Sequence, residues 1–296
     1  MTKNNLDDLT LVAAGKGTSI SLPPIVDAVL DLVPDRDDDN DSDEIRLVYL
    51  GTASYDNDKA FETQTRAYRR IPRVKIERLN VSDRTSSGDG STTKPQKLPS
   101  QEEMRSLLAN AHILLCSGGD TLYALQRWKE VGIDAMIRRV AFDKNGPVLC
   151  GGSAGAVCWF QACHSDAEKY VVDDNDDWEY TKQSGLGFIP ALCVPHNDVV
   201  LSNGLPRAKD SEKLLSPEQP MLGIDEAAAL VIADGEARAI SGDGLAKVHV
   251  KNVVLVEQDD EDDDEQHAVR KRIIRKRPFT EVDGPVPVEK LLQGDF

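Results

Sequence analysis

Short apolar runs alternate along this chain with longer stretches whose apolar residues recur at helical spacing. This is the pattern of an α/β fold, a mostly parallel sheet with helices on both faces, because each buried strand needs a helix to cross back over the sheet. Strands are predicted at residues 9–14, 45–50, 74–79, 113–116 and 148–150. Helices are predicted at 24–32, 59–70, 101–110, 122–131, 134–142 and 156–161. The helix at 101–110 has the clearest start, with Ser100 at the N-cap and Glu102 and Glu103 in the first turn. Further strands are expected at 186–189, 192–194, 228–232, 248–256 and 269–274. The last two predict a β-hairpin tipped by an acidic run. Residues 82–99, rich in Ser, Thr, Gly and Asp, read as a loop insertion. The expectation is a three-layer sheet fold forming one domain over 1–296, with the C-terminal hairpin and its acidic loop in 235–296.

Composition narrows the class. Hydrophobic residues make up 40% of the 296 positions, enough for a sizeable core. No apolar run reaches the roughly 18 to 20 residues that cross a bilayer. The first ten residues are polar and acidic and lack the features of a secretory signal, so a soluble, cytoplasmic protein is expected. A formal net charge of −16 repels phosphates and argues against a nucleic-acid partner. Much of that charge lies in acidic runs at 35–44, 173–179 and 257–265, which read as solvated loops. The run at 259–264 lacks the turn glycine of a calcium loop, so no metal is assigned. Cys116, Cys150, Cys158, Cys163 and Cys193 are odd in number and sit mostly in apolar segments, which predicts buried free thiols in a reducing compartment. The basic stretch at 270–277 reads as an edge strand in preference to a nuclear-targeting patch.

One motif carries chemistry. Gly151-Gly152-Ser153-Ala154-Gly155 matches the G-x-S-x-G nucleophile elbow, between an apolar strand and an apolar stretch suited to a buried helix. A nucleophile at a strand's end needs small neighbours to keep its oxygen exposed, and the helix that follows offers backbone N–H groups to a developing oxyanion. Serine also needs a base. His196 is the best candidate, since it follows an apolar strand and Pro195 in a loop beside Asn197 and Asp198, where α/β sheets present functional groups. His164 is its rival. For the acid that orients the base, Asp166 is the first choice, with Glu168 and Asp198 as alternatives. The N–H of Ala154 is the expected oxyanion donor, joined by Gly118 or Gly119, whose missing side chains let the backbone approach closely.

These motifs occur in an order that resembles the peptidase E family. They are Ser117-Gly118-Gly119-Asp120-Thr121, the segment Gly151 to Phe160, His164-Ser165-Asp166, and Pro195-His196-Asn197-Asp198. The similarity continues through Ser202-Asn203-Gly204-Leu205-Pro206-Arg207 and the segment Gly223 to Leu230, and covers about 9–234. The resemblance implies a fold shared with class I glutamine amidotransferases and a serine peptidase with a triad of Ser153, His196 and Asp166. It also implies a small peptide as substrate, as in a dipeptidase, with no metal or organic cofactor. Within that family a basic residue downstream of the histidine sets a preference for N-terminal aspartate, a place nearest to Arg207, with Lys209 as competitor. The segment Trp159-Phe160 to Asp166 is more similar to an uncharacterised branch than to the dipeptidases. A homodimer is allowed, and neither nucleic acid nor a membrane is expected as partner. Two other readings stay open: a glutamine amidotransferase-like enzyme, which would want a cysteine at the elbow, and a binding module that has lost turnover.

Overall fold

In the computed structural model, which describes residues 6–34, 43–84, 97–170, 178–202, 204–258 and 269–296, the apolar runs become strands of two sheets. The strands are β1 (Leu11–Ala14), β2 (Ile45–Leu50), β3 (Val74–Arg78), β4 (Ile113–Cys116), β5 (Val148–Gly152), β6 (Phe160–Ser165) and β7 (Thr181–Ser184). They continue with β8 (Ile189–Val194), β9 (Met221–Ile224), β10 (Ala228–Ala233), β11 (Glu236–Ser241), β12 (Val248–Gln258), β13 (Val269–Phe279) and β14 (Val286–Pro287). The helices are α1 (Pro23–Asp31), α2 (Asp58–Gln64), α3 (Gln101–Asn110), α4 (Thr121–Val131), α5 (Ile133–Ala141), α6 (Ala154–Val157), α7 (Arg207–Asp210) and α8 (Val288–Gln293).

The larger, eight-stranded sheet runs β14-β11-β10-β1-β5-β4-β2-β3. Its β1, β5, β4, β2 and β3 are parallel, and β10 joins β1 antiparallel. Because side chains alternate along a strand, each strand feeds two cores. Val12, Leu47, Tyr49, Leu115 and Cys150 pack on the α1 side with Ile25 and Val29. Leu11, Val48, Leu114 and Leu149 pack on the opposite side with Leu108 of α3, Trp128 of α4 and Ile137 of α5. The second core also takes Phe160, Cys193, Leu222 and Val250, which is one face of the six-stranded sheet β13-β12-β9-β8-β6-β7. The chain is thus mixed α/β, but its strands divide between two sheets where a single three-layer sheet was expected.

Most predicted elements fall within a residue or two of their places. Ser100 accepts from the Glu103 N–H while the Glu103 carboxylate accepts from the Ser100 N–H, a reciprocal cap that starts α3. The largest departure follows the elbow. The helix expected at 156–161 is the single turn α6, and the chain enters β6 at Phe160, paired parallel to β8 and antiparallel to β7. A short apolar run suits a buried strand as well as a buried helix, and pairing on both sides decides it. β13 lies at a sheet edge, as its basic alternation suggested, and pairs antiparallel with β12. The proposed hairpin tip, His267 and most of the three acidic runs lie outside the described residues. All five cysteines are free and buried.

Candidate active site

Five strand ends meet at one edge of the molecule. The parallel strands β1, β4 and β5 bring Gly15, Gly118 and Ser153 to that edge, and β8 and β9, parallel to each other, bring His196 and Glu226. Ser153 sits between β5 and α6 at φ 56° and ψ −121°, a left-handed conformation costly for any residue with a Cβ. The turn is held from both sides. The Ser153 N–H donates to Ala14 O at 3.2 Å, and a Cβ on Gly152 would lie 2.0 Å from Lys16 O, so only glycine fits there.

His196 is also left-handed, at φ 50°, and its N–H donates to Gly15 O at 3.1 Å. Its Nε2 lies 2.9 Å from Ser153 Oγ, and its Nδ1 lies 2.7 Å from Glu226 Oε1. A carboxylate can only accept, so Nδ1 carries the proton and Nε2 turns its lone pair to the serine hydroxyl. Burial lowers the His196 pKa, the bond it donates to Glu226 opposes this, and the nearby Arg207 charge lowers it further. The imidazole is therefore neutral around pH 7. Burial alone would raise the Glu226 pKa, but hydrogen bonds from Lys16 and His196 outweigh it and hold the carboxyl below its usual range.

The acid against His196 is Glu226, and this corrects the sequence expectation. Asp166 pairs instead with Lys169, one turn along. Glu168 accepts from the Glu179 N–H, and Asp198 accepts the backbone N–H of Glu226 at 2.8 Å. Asp198 thus helps place the acid without being it. Glu226 stands in the Gly223–Leu230 segment at the end of a buried strand. An acid at a strand's carboxyl end was the available signal, but nothing local in sequence ties it to Ser153.

The three oxyanion candidates separate. A Cβ on Gly118 would come within 3.5 Å of Ser153 Cβ, so this turn abuts the nucleophile, but the Gly118 N–H donates to Gln64 Oε1 at 3.1 Å. Gly119 has φ +140°, and a Cβ there would meet Ala53 O at 2.1 Å. The N–H groups of Gly119 and Ala154 have no acceptor among the described residues. Arg207, at the start of α7, is buried to 5% exposure; it donates to His164 O at 2.9 Å and lies 4.6 Å over the Tyr180 ring. Its Nε is buried without a partner. Lys209, its competitor, is exposed and bound to Glu212 at 2.8 Å. His164, the rival base, is 0% exposed and pairs with Asp210, away from the serine. Every thiol is buried, and burial drives the Cys150 pKa well up, so a cysteine nucleophile has no candidate here.

Comparison with known proteins identifies the family. A 1.5 Å crystal structure of a candidate peptidase E protein from Listeria monocytogenes EGD-e shares the fold, with a TM-score of 0.51 and 18% identity, over 79% of this chain and 98% of that one. The uncharacterized peptidase YgaJ of Bacillus subtilis (strain 168) is 32% identical over 100 residues, which span 34% of this chain and only 39% of that relative. The model of peptidase family S51 matches residues 36–240, more than half of the chain and inclusive of Ser153, His196 and Glu226. The chain belongs to peptidase family S51, the peptidase E family that its motifs resembled.

Proposed function

We propose that the protein is a serine-type hydrolase of small peptides, a dipeptidase E-like exopeptidase working through Ser153, His196 and Glu226. The observation that carries this is the unbroken relay from the Ser153 hydroxyl through the His196 ring to the Glu226 carboxylate. In this reading Ser153 Oγ attacks the peptide carbonyl as His196 Nε2 takes its proton. The imidazolium then protonates the leaving amine, and Glu226 stabilises it without itself taking the proton. The Ala154 and Gly119 N–H groups receive the oxyanion in a site that needs no reorganisation. A water molecule, deprotonated by the same ring, releases the acyl group. The eight-stranded sheet with its helices then corresponds to the amidotransferase-like core.

The buried Arg207 guanidinium, with an unused donor, suits a substrate that brings a carboxylate, in line with a preference for an acidic N-terminal residue. The test is a dipeptide library screened with wild type and Ser153→Ala side by side. Wild type is expected to cleave dipeptides, with N-terminal Asp among the best, and Ser153→Ala to lose about 10⁴- to 10⁶-fold in kcat. Hydrolysis retained by Ser153→Ala at the wild-type rate would sink the mechanism. Arg207→Met that left KM for Asp-initiated dipeptides unchanged would remove the recognition role.

A further inference from the structure

We propose that Lys16 is a positioning residue of this site: its ammonium holds one oxygen of the Glu226 carboxylate so that the other stays on the His196 ring. The inference rests on the reading of Ser153, His196 and Glu226 as the hydrolytic relay. Its basis is the end of β1 and the turn that follows it, which together touch all three groups. Ala14 O accepts the Ser153 N–H, Gly15 O accepts the His196 N–H, and Lys16 Nζ lies 2.8 Å from Glu226 Oε2. The backbone of the turn has no room to shift. A Cβ on Gly15 would fall 2.0 Å from Asp225 O, and the carbonyl of Lys16 fills the place of a Cβ on Gly152.

The Glu226 carboxylate therefore divides its oxygens, Oε1 to His196 at 2.7 Å and Oε2 to Lys16 at 2.8 Å. With a side chain 30% exposed, it would keep its bond to the ring but in a looser alignment if Lys16 were removed. Its main chain would stay in place, because Asp198 accepts the Glu226 N–H and the neighbouring Asp225 is bound by Asn197 and His249. The contribution of Lys16 is thus confined to the orientation and charge of one side chain. As a half-exposed ion pair it adds little to folding stability.

The charges facing the relay fix the sign of a pH effect. His196 is influenced by Glu226, Arg207 and Asp166, and Glu226 by His196 and Lys16. Loss of the Lys16 charge leaves a more basic carboxylate against His196 and removes a nearby positive charge. Both changes favour the imidazolium. The free base then appears only at higher pH, so the acid limb of the rate profile moves up.

The experiment measures the second-order rate at which a fluorophosphonate probe acylates Ser153 from about pH 5 to 9, in wild type, Ser153→Ala, Lys16→Met and Lys16→Arg, with a thermal melt for each. Ser153→Ala is expected to stay unlabelled. Lys16→Met is expected to react about tenfold more slowly, with the midpoint of its acid limb raised by about one pH unit and an unchanged melt. Lys16→Arg, which keeps the cation, is expected to recover to within about threefold of wild type. The proposal is overturned if Lys16→Met matches wild type in rate and midpoint, or if Lys16→Arg is as slow as Lys16→Met. A wild type that the probe does not label overturns the serine reading itself, and the role of Lys16 falls with it.

Discussion

Among the described residues, two histidine–carboxylate pairs share a distance of 2.7 Å but differ in chemical prospects. His196 bonds Glu226 at 2.7 Å, and His164 bonds Asp210 at 2.7 Å. Both rings have lowered pKa values, His164 down to about 4, and in both burial is the first cause. The difference lies at the other nitrogen. His196 keeps 21% of its side chain exposed and faces a serine hydroxyl, whereas His164 is 0% exposed and its Nδ1 is buried with no partner. The His164 ring instead stacks on Tyr180 at 4.6 Å, and its carbonyl holds Arg207. A carboxylate at one nitrogen therefore does not make a histidine a base. In the proposed mechanism, access and a hydroxyl at the second nitrogen are what fit His196 for that role.

Breaking each pair should separate the two roles. Glu226→Gln keeps the shape but lets the ring take the wrong tautomer, so kcat/KM for dipeptides should fall about 10³- to 10⁴-fold. Asp210→Asn should leave kcat within about threefold and instead cost about 1 kcal/mol in urea denaturation, because a buried ring exchanges a charged acceptor for a neutral one. Equal losses of activity in the two variants would end the comparison.

Acid should read out the buried pair next. Below pH 6.5 the unfolded chain protonates His164 while the folded chain does not, down to about pH 4. Stability present above that window is lost as pH falls through it, and Asp210, held below the usual carboxylate range, extends the loss at the acid end. Thermal midpoints should drop between pH 6.5 and 4 in wild type and flatten in His164→Gln. The smallest effect is expected from Asp166→Asn. Its carboxylate is taken up by Lys169, so kcat should change by no more than about threefold.

What could be read in the sequence follows from how local each signal is. The elbow is a contiguous turn whose small residues answer to contacts within a few positions, and Ser153 stands where the motif put it. His196 was legible because a proline and a buried strand precede it. The acid was not, since Glu226 reaches His196 only through the pairing of β9 with β8 and of β10 with β1. Asp166, nearer to the elbow along the chain, was the natural but misleading choice. The strands β7, β9, β11 and β14 escaped for related reasons. β7 is wholly polar and β14 spans two residues, and both owe their form to a paired neighbour, not to their own pattern.

The place of β1 has a consequence for how the protein is made. It lies between β5 and β10, so this strand finds its neighbours only after Val148–Gly152 and then Ala228–Ala233 have been synthesised. Such long-range closure is slow and leaves an apolar strand waiting for its partners. The end of β1 and the turn after it, which together touch Ser153, His196 and Glu226, therefore have their full sheet support only once both of those later strands have paired with β1.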